Sequence, residues 1–138
     1  TEDAFKEAGR LVDNIKIALF GVSYKADTDD TRNTPTERIV SVLQKRYHSH
    51  NIIYIAHDPY VKAKDYNATE LTDDIDKAIT DADALVFATN HKEYYDLDLD
   101  DIKKKVKTPI IIDGRNIFDK YKVLEKGFIY RKVGQGVN

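Results

Sequence analysis

The sequence predicts an α/β fold: an open, mainly parallel sheet of five to six strands with helices on both faces. Three observations point there. Short, unbroken apolar runs recur along the chain, segments with helical spacing separate them, and polar residues gather just past the end of each run. Strands covered on both faces are continuously apolar, and strand-helix alternation calls for right-handed crossovers between parallel neighbours. The 138 residues suffice for one domain with its own core, and two complete domains would not fit.

Taken in order, Thr1 to Asp13 sets Ala4, Phe5, Ala8, Leu11 and Val12 on one helical face, a helix leading into the domain proper over residues 14–138. Ile15 to Val22 is the first apolar run, and Gly21 lies near its end. Similar runs follow at Ile52 to Ala56, Ala84 to Ala88, Pro109 to Ile112 and, more weakly, Phe128 to Val133, so five strands are the simplest count. Thr34-Pro35-Thr36-Glu37 spells a capping box with proline at the first helical position, and Ile39, Val40, Leu43 and Tyr47 continue on one face. Ile75, Ala78, Ile79 and Ala82 mark a second helix after it, and Leu99, Ile102 and Val106 a third. The plan is Rossmann-like, but the dinucleotide fingerprint is missing. Gly21 has no G-x-G-x-x-G companions, and the acidic Asp58 lies 37 positions beyond it, where the fingerprint places one at about 20. Independent NAD binding is not expected.

Lys plus Arg total 22 and Asp plus Glu 24, for a formal charge of −2. That near-balance argues against a nucleic-acid or membrane-surface partner held by bulk electrostatics. No apolar run approaches the roughly 20 residues that span a bilayer, so a soluble, cytoplasmic protein is expected. The absence of cysteine removes a disulfide framework, a thiolate metal site and a cysteine nucleophile supplied by this chain. His48 and His50 form an H-x-H pair with no third ligand spelled nearby, so no metal site is expected.

Ligands of open parallel sheets bind beyond the carboxyl ends of the strands. There the sequence places Ser23 to Asn33, His57-Asp58-Pro59, Thr89-Asn90-His91 and Asp113-Gly114-Arg115-Asn116. Lys25 and Arg115 are placed to grip an anionic ligand, Arg115 with a bidentate fork, and Tyr24 offers a flat ring to a base or sugar. The bland alternative has Lys25 and Arg32 neutralising Asp27, Asp29 and Asp30, and Arg115 paired with Asp113 or Asp119. About a dozen residues between the first strand and its helix exceed the usual 2–6, which favours a functional loop. His91 lies on the same edge, either to donate to a ligand or to cap the next helix.

Gly21-Val22-Ser23-Tyr24-Lys25 with Asp30-Thr31-Arg32-Asn33-Thr34-Pro35, then Asp58-Pro59, Thr89-Asn90-His91-Lys92-Glu93-Tyr94 and Asp113-Gly114-Arg115-Asn116, together resemble the C-terminal domain of UDP-glucose/GDP-mannose dehydrogenases over about residues 16–136. The resemblance implies a UDP-sugar-binding domain of an enzyme that oxidises a nucleotide sugar at C6 to the carboxylate with two NAD⁺. In that family an N-terminal Rossmann domain and a central helical dimerisation domain precede it. They imply partner domains ahead of Thr1 and a homo-oligomer. Tyr24, Lys25 and Arg115 are then expected on the nucleotide sugar, and Arg32 on the NAD pyrophosphate across the cleft. No catalytic residue is expected in this chain, because the family's nucleophilic cysteine lies in the portion it lacks. Thr89-Asn90-His91 is more similar to the T-[DN]-H of UDP-N-acetylmannosamine or N-acetylglucosamine dehydrogenases than to the T-E-W of UDP-glucose enzymes, which implies an N-acetylhexosamine, UDP-N-acetylmannosamine first. Tyr130 to Gly136 matches the family ending imperfectly, with Lys132 in place of glycine, and is assigned no ligand role.

Two other classes are weighed. A signalling receiver needs an acidic pair after the first strand and a phosphoacceptor aspartate after the third, where this chain has Ser23-Tyr24-Lys25 and Thr89. A scaffold domain with a vestigial ligand edge differs from the first reading in not binding UDP.

Overall fold

The computed structural model describes residues 2–9, 11, 13–23, 35–47, 51–62, 66 and 69–132. Tyr24, Lys25, Arg32, the capping Thr34, and His48 and His50 lie outside the described residues. Six strands, β1 (Ile15–Phe20), β2 (Ile52–His57), β3 (Glu70–Thr72), β4 (Ala84–Phe87), β5 (Ile110–Asp113) and β6 (Ile129–Lys132), form one sheet in the order β3-β2-β1-β4-β5-β6. Every neighbouring pair is parallel. The helices among the described residues are α1 (Glu2–Glu7), α2 (Pro35–Arg46), α3 (Ile75–Ile79), α4 (Leu99–Lys105) and α5 (Lys120–Glu125), with a 3₁₀ turn over Lys92–Asp96.

Successive residues of β1 point to opposite faces, and both faces are buried. Ala18 and Phe20 join Ile55, Leu85, Phe87, Ile79 and Tyr94 on one side. Ile15, Ile17 and Leu19 join Phe5, Val40, Val86 and Ile112 on the other. This two-sided burial is why the strands read as unbroken apolar runs. β3 escaped the five-strand count because its three residues, Glu70-Leu71-Thr72, form no apolar run; its pairing with β2 makes it an edge strand. α5 carries one fully buried residue, Val123, so no apolar stripe announces it.

The leading helix is shorter than its spacing suggests. Ala4 and Phe5 are fully buried, but Gly9, at φ +72, turns the chain out of helix after Glu7, and Leu11 is 82% exposed rather than on the helical face. Arg131 of β6 binds α1 from below, with Nε 2.8 Å from Asp3 and Nη2 2.6 Å from Glu7. Ala82 and Val106 likewise fall outside their helices. α3 ends at Ile79 with Thr80 as its C-cap and Asp81 at φ 60 beyond it, and Val106 is the C-cap of α4. The starts are firm because Asp74 and Asp98 each accept two backbone N–H groups of the turn they begin.

The order β3-β2-β1-β4 places the chain's reversal of direction across the sheet between β1 and β4. In open parallel sheets the crevice that takes a ligand lies at such a reversal, beyond the carboxyl ends of the two strands, here the ends of β1 and β4. No helix among the described residues is long and apolar enough to cross a membrane.

Candidate functional site

The floor of the crevice is set where β1 meets the segment after β4. Gly21 takes φ +94, and a Cβ built there would lie 2.4 Å from Thr89 Cβ, so glycine is required for this close approach. Its N–H donates to His57 O at 2.8 Å. Thr89 Oγ1 donates to Ser23 O at 2.9 Å, and Ala88 N–H to Phe20 O at 2.9 Å. The loop after β1 therefore leaves the sheet clamped to residues 88 and 89.

Behind this clamp sits a buried carboxylate–imidazole pair. Asp58, just past β2, and His91, just past β4, are both inaccessible to solvent, with His91 Nε2 2.9 Å from Asp58 Oδ2. Burial pushes the Asp58 carboxyl up. The hydrogen bonds from His91, Val22 N–H and Tyr60 N–H outweigh it and hold the group below the usual carboxylate range. An ionised carboxylate only accepts, so His91 Nε2 carries the proton between them. Ser23 Oγ is 3.1 Å from the same nitrogen, and Val22 N–H donates to Asp58 Oδ2 at 2.9 Å. Asp58 Oδ1 takes Tyr60 N–H at 2.8 Å and Val61 N–H at 3.2 Å, the turn that Asp58-Pro59 spells.

Next to it, His57 and Tyr94 form a second buried pair, with Nδ1 and Oη 2.9 Å apart, and Tyr94 Oη also lies 3.0 Å from His57 O. Burial lowers the His57 pKa, and burial raises that of the Tyr94 phenol far above its ordinary value. Both are neutral framework groups.

Arg115 stands on the rim. Asp113, the last residue of β5, accepts Arg115 N–H and Ile117 N–H on Oδ1, and Phe118 N–H and the Tyr130 hydroxyl on Oδ2, all at 2.8–3.1 Å. That carboxylate is spent on shaping its own loop. The Arg115 side chain is exposed and donates from Nε to Ala88 O at 3.1 Å. No carboxylate of the described residues lies within ion-pair distance of its guanidinium, so the pairing with Asp113 or Asp119 is not made; Asp119 instead caps α5 through Tyr121 N–H. Tethered at Nε, the guanidinium keeps its two terminal amino groups for a planar or tetrahedral anion.

Both expectations for His91 need correction. It faces neither the crevice nor the following turn; its side chain makes no capping bond and is fully buried against Asp58. In Thr89-Asn90-His91, Thr89 and His91 are both buried and Asn90 alone is half-exposed. The motif suggestive of an N-acetylhexosamine thus meets the crevice through one residue. The pairings of Asp58 with His91 and of His57 with Tyr94 carry no local sequence signal, because the partners lie 33 and 37 positions apart.

The described residues do not fit NAD. Gly21 is closed over by Thr89 rather than open to a pyrophosphate, and Asp58, which stands after β2 where a dinucleotide fold keeps its ribose acid, is inaccessible and engaged. Among the described residues, no three His, Cys, Asp or Glu side chains cluster in a way that could hold a metal ion.

A model of the UDP-glucose/GDP-mannose dehydrogenase family, UDP binding domain, matches residues 18–120. The UDP-N-acetyl-D-mannosamine dehydrogenase of Pyrococcus horikoshii is 34% identical over 134 residues, covering 97% of this chain and 29% of the relative. The UDP-glucose 6-dehydrogenase of Rhizobium meliloti is also 34% identical, over 93% of this chain and 29% of its own. Among solved structures, the NDP-N-acetyl-D-galactosaminuronic acid dehydrogenase from Methanosarcina mazei Go1 superposes with a TM-score of 0.84 at 32% identity, over 95% of this chain and 27% of that one. The chain spans under a third of the length of these relatives, and equal identity to enzymes named for two sugars does not rank the sugars.

Proposed function

The chain belongs to the UDP-glucose/GDP-mannose dehydrogenase family, and we propose that it is the nucleotide-sugar-binding domain of an NAD-dependent nucleotide-sugar 6-dehydrogenase. The whole enzyme would oxidise the C6 alcohol of a UDP-sugar to the carboxylate with two NAD⁺ per turnover, and would assemble as a homo-oligomer. UDP-N-acetylmannosamine is the favoured substrate on the likeness of Thr89-Asn90-His91 alone, and a relative of that name is among those matched. UDP-glucose is the second reading, supported by the equally identical relative named for it. The chain alone is inactive on this reading, because it has no cysteine and its described residues hold no dinucleotide cradle.

One observation carries the proposal: Arg115 is held by Nε at the Ala88 carbonyl, on the edge and beside the crevice where such sheets bind ligands, with no carboxylate of the described residues neutralising it. Its terminal amino groups would bind a diphosphate oxygen pair. Ser23 O accepts from Thr89, the neighbour of Ala88, and Lys25 follows Ser23 by two residues in the sequence. Lys25 would add the second cation, Tyr24 would lie against base or sugar, and Arg32 would reach the NAD pyrophosphate bound by the preceding domain.

A two-dimensional NMR titration with UDP tests this. The Gly114 amide and the Arg115 Nε–H should shift in a saturable way, and mixing the chain with NAD⁺ and either UDP-sugar should yield no NADH. Unchanged spectra at millimolar UDP, or NADH formed by the chain alone, would overturn it.

A further inference from the structure

We infer that Asp58 and His91 are positioning residues for the nucleotide-sugar site, setting where the loop after β1 leaves the sheet so that UDP affinity depends on a contact no ligand touches. The inference rests on the proposed function and goes beyond it to name residues outside the binding surface. Three loops converge on the pair. The β1 loop supplies Val22 N–H at 2.9 Å and Ser23 Oγ at 3.1 Å, the β2 loop Asp58, and the β4 loop His91. The Tyr60 ring, 4.8 Å away, and the Tyr94 ring, 5.5 Å away, pack against the imidazole, and the Tyr60 hydroxyl is tied to Glu93 at 3.0 Å.

Stability alone does not explain such a pair. Taking two ionisable groups fully out of water is costly, and well-packed apolar residues often serve a core as well or better. Apolar contact, however, has no direction. The carboxylate fixes the Val22 N–H and the imidazole in one arrangement, and the next residues along the chain are Tyr24 and Lys25. Both members are inaccessible to solvent, so neither reaches a ligand, and their effect on binding passes through the loops they join, first through Val22 and Ser23.

The test compares the 138-residue chain with His91→Leu, His91→Gln, Asp58→Asn and the His91→Gln/Asp58→Asn double variant, with Arg115→Ala as the direct-contact control. The dissociation constant for UDP is measured by calorimetry at a temperature where circular dichroism shows each variant folded. His91→Leu should weaken UDP binding about tenfold. His91→Gln, which restores an N–H for the carboxylate, should return to within about threefold of the parent, and its effect should not add to that of Asp58→Asn. A packing role alone would lower the melting temperature and leave the affinity and its rescue unmoved.

Parent-like affinity in folded His91→Leu, with Arg115→Ala impaired, would overturn the inference and leave the proposed function standing. If His91→Leu does not fold, Asp58→Asn decides, and parent-like affinity there has the same meaning. No UDP binding by the parent chain would overturn both.

Discussion

Asp58 and Asp113 occupy similar places, one just past β2 and the other at the end of β5, and both are completely buried. Each gathers backbone N–H groups of the loop it begins. They differ in their remaining partners. Asp113 takes three N–H groups from its own loop and a neutral phenol, Tyr130, from β6. Asp58 takes Val22 N–H from another loop and an imidazole from a third. The first carboxylate shapes one loop and presents Arg115. The second ties three loops together, and one of its partners is a side chain that can gain or lose a proton.

That contrast predicts unequal sensitivity. Replacing His91 by leucine takes the imidazole from a buried carboxylate and from Ser23 Oγ and sets an apolar side chain against both, and should cost about 2–4 kcal/mol in a denaturant titration. Gly21→Ala strikes the same region through the backbone, with φ +94 and a Cβ 2.4 Å from Thr89 Cβ, and should cost roughly 3 kcal/mol. Tyr130→Phe leaves Asp113 with three N–H donors and should cost only about 1.5 kcal/mol. Equal losses for His91→Leu and Tyr130→Phe would break the comparison.

Acidity sharpens it further. The Asp58 pKa is depressed in the fold, so its contribution is fully present above the ordinary carboxylate value of about 4 and is lost as pH falls through the lower folded value. His57 works on a milder scale. Burial lowers its pKa, the unfolded chain binds that proton more readily, and stability falls as pH drops below about 6.5 toward the folded value. Melting temperatures taken between pH 7 and pH 5 should decline in the parent and in Tyr130→Phe. The decline should flatten in His57→Gln, and an unchanged slope there would show that another group carries it.

The same two regions show what the sequence discloses. Asp113-Gly114-Arg115-Asn116 is a local turn, and Arg115 could be picked out because a carboxylate, a glycine and a guanidinium in succession after an apolar strand describe their own geometry. The partners of Asp58 are fixed by sheet order, with Val22 36 positions before it and His91 33 positions after it, and periodicity does not report such distances. Hence His91 was expected at the ligand or as a cap and stands behind both. Strands buried on two faces were legible for the same local reason, whereas the three-residue β3 and the thinly buried α5 depend on neighbours the sequence does not name. Asp74 and Asp98, which the helical spacing alone does not single out, cap their helices from the adjacent position.

The most direct measurement sets UDP against uridine in calorimetric titrations of the parent chain and Arg115→Ala. If the rim guanidinium holds the diphosphate, the parent binds UDP more tightly than uridine, and the substitution weakens UDP about tenfold while leaving uridine unaffected. Equal UDP affinity in parent and variant would contradict the assignment of this edge as a nucleotide-sugar site built on Arg115.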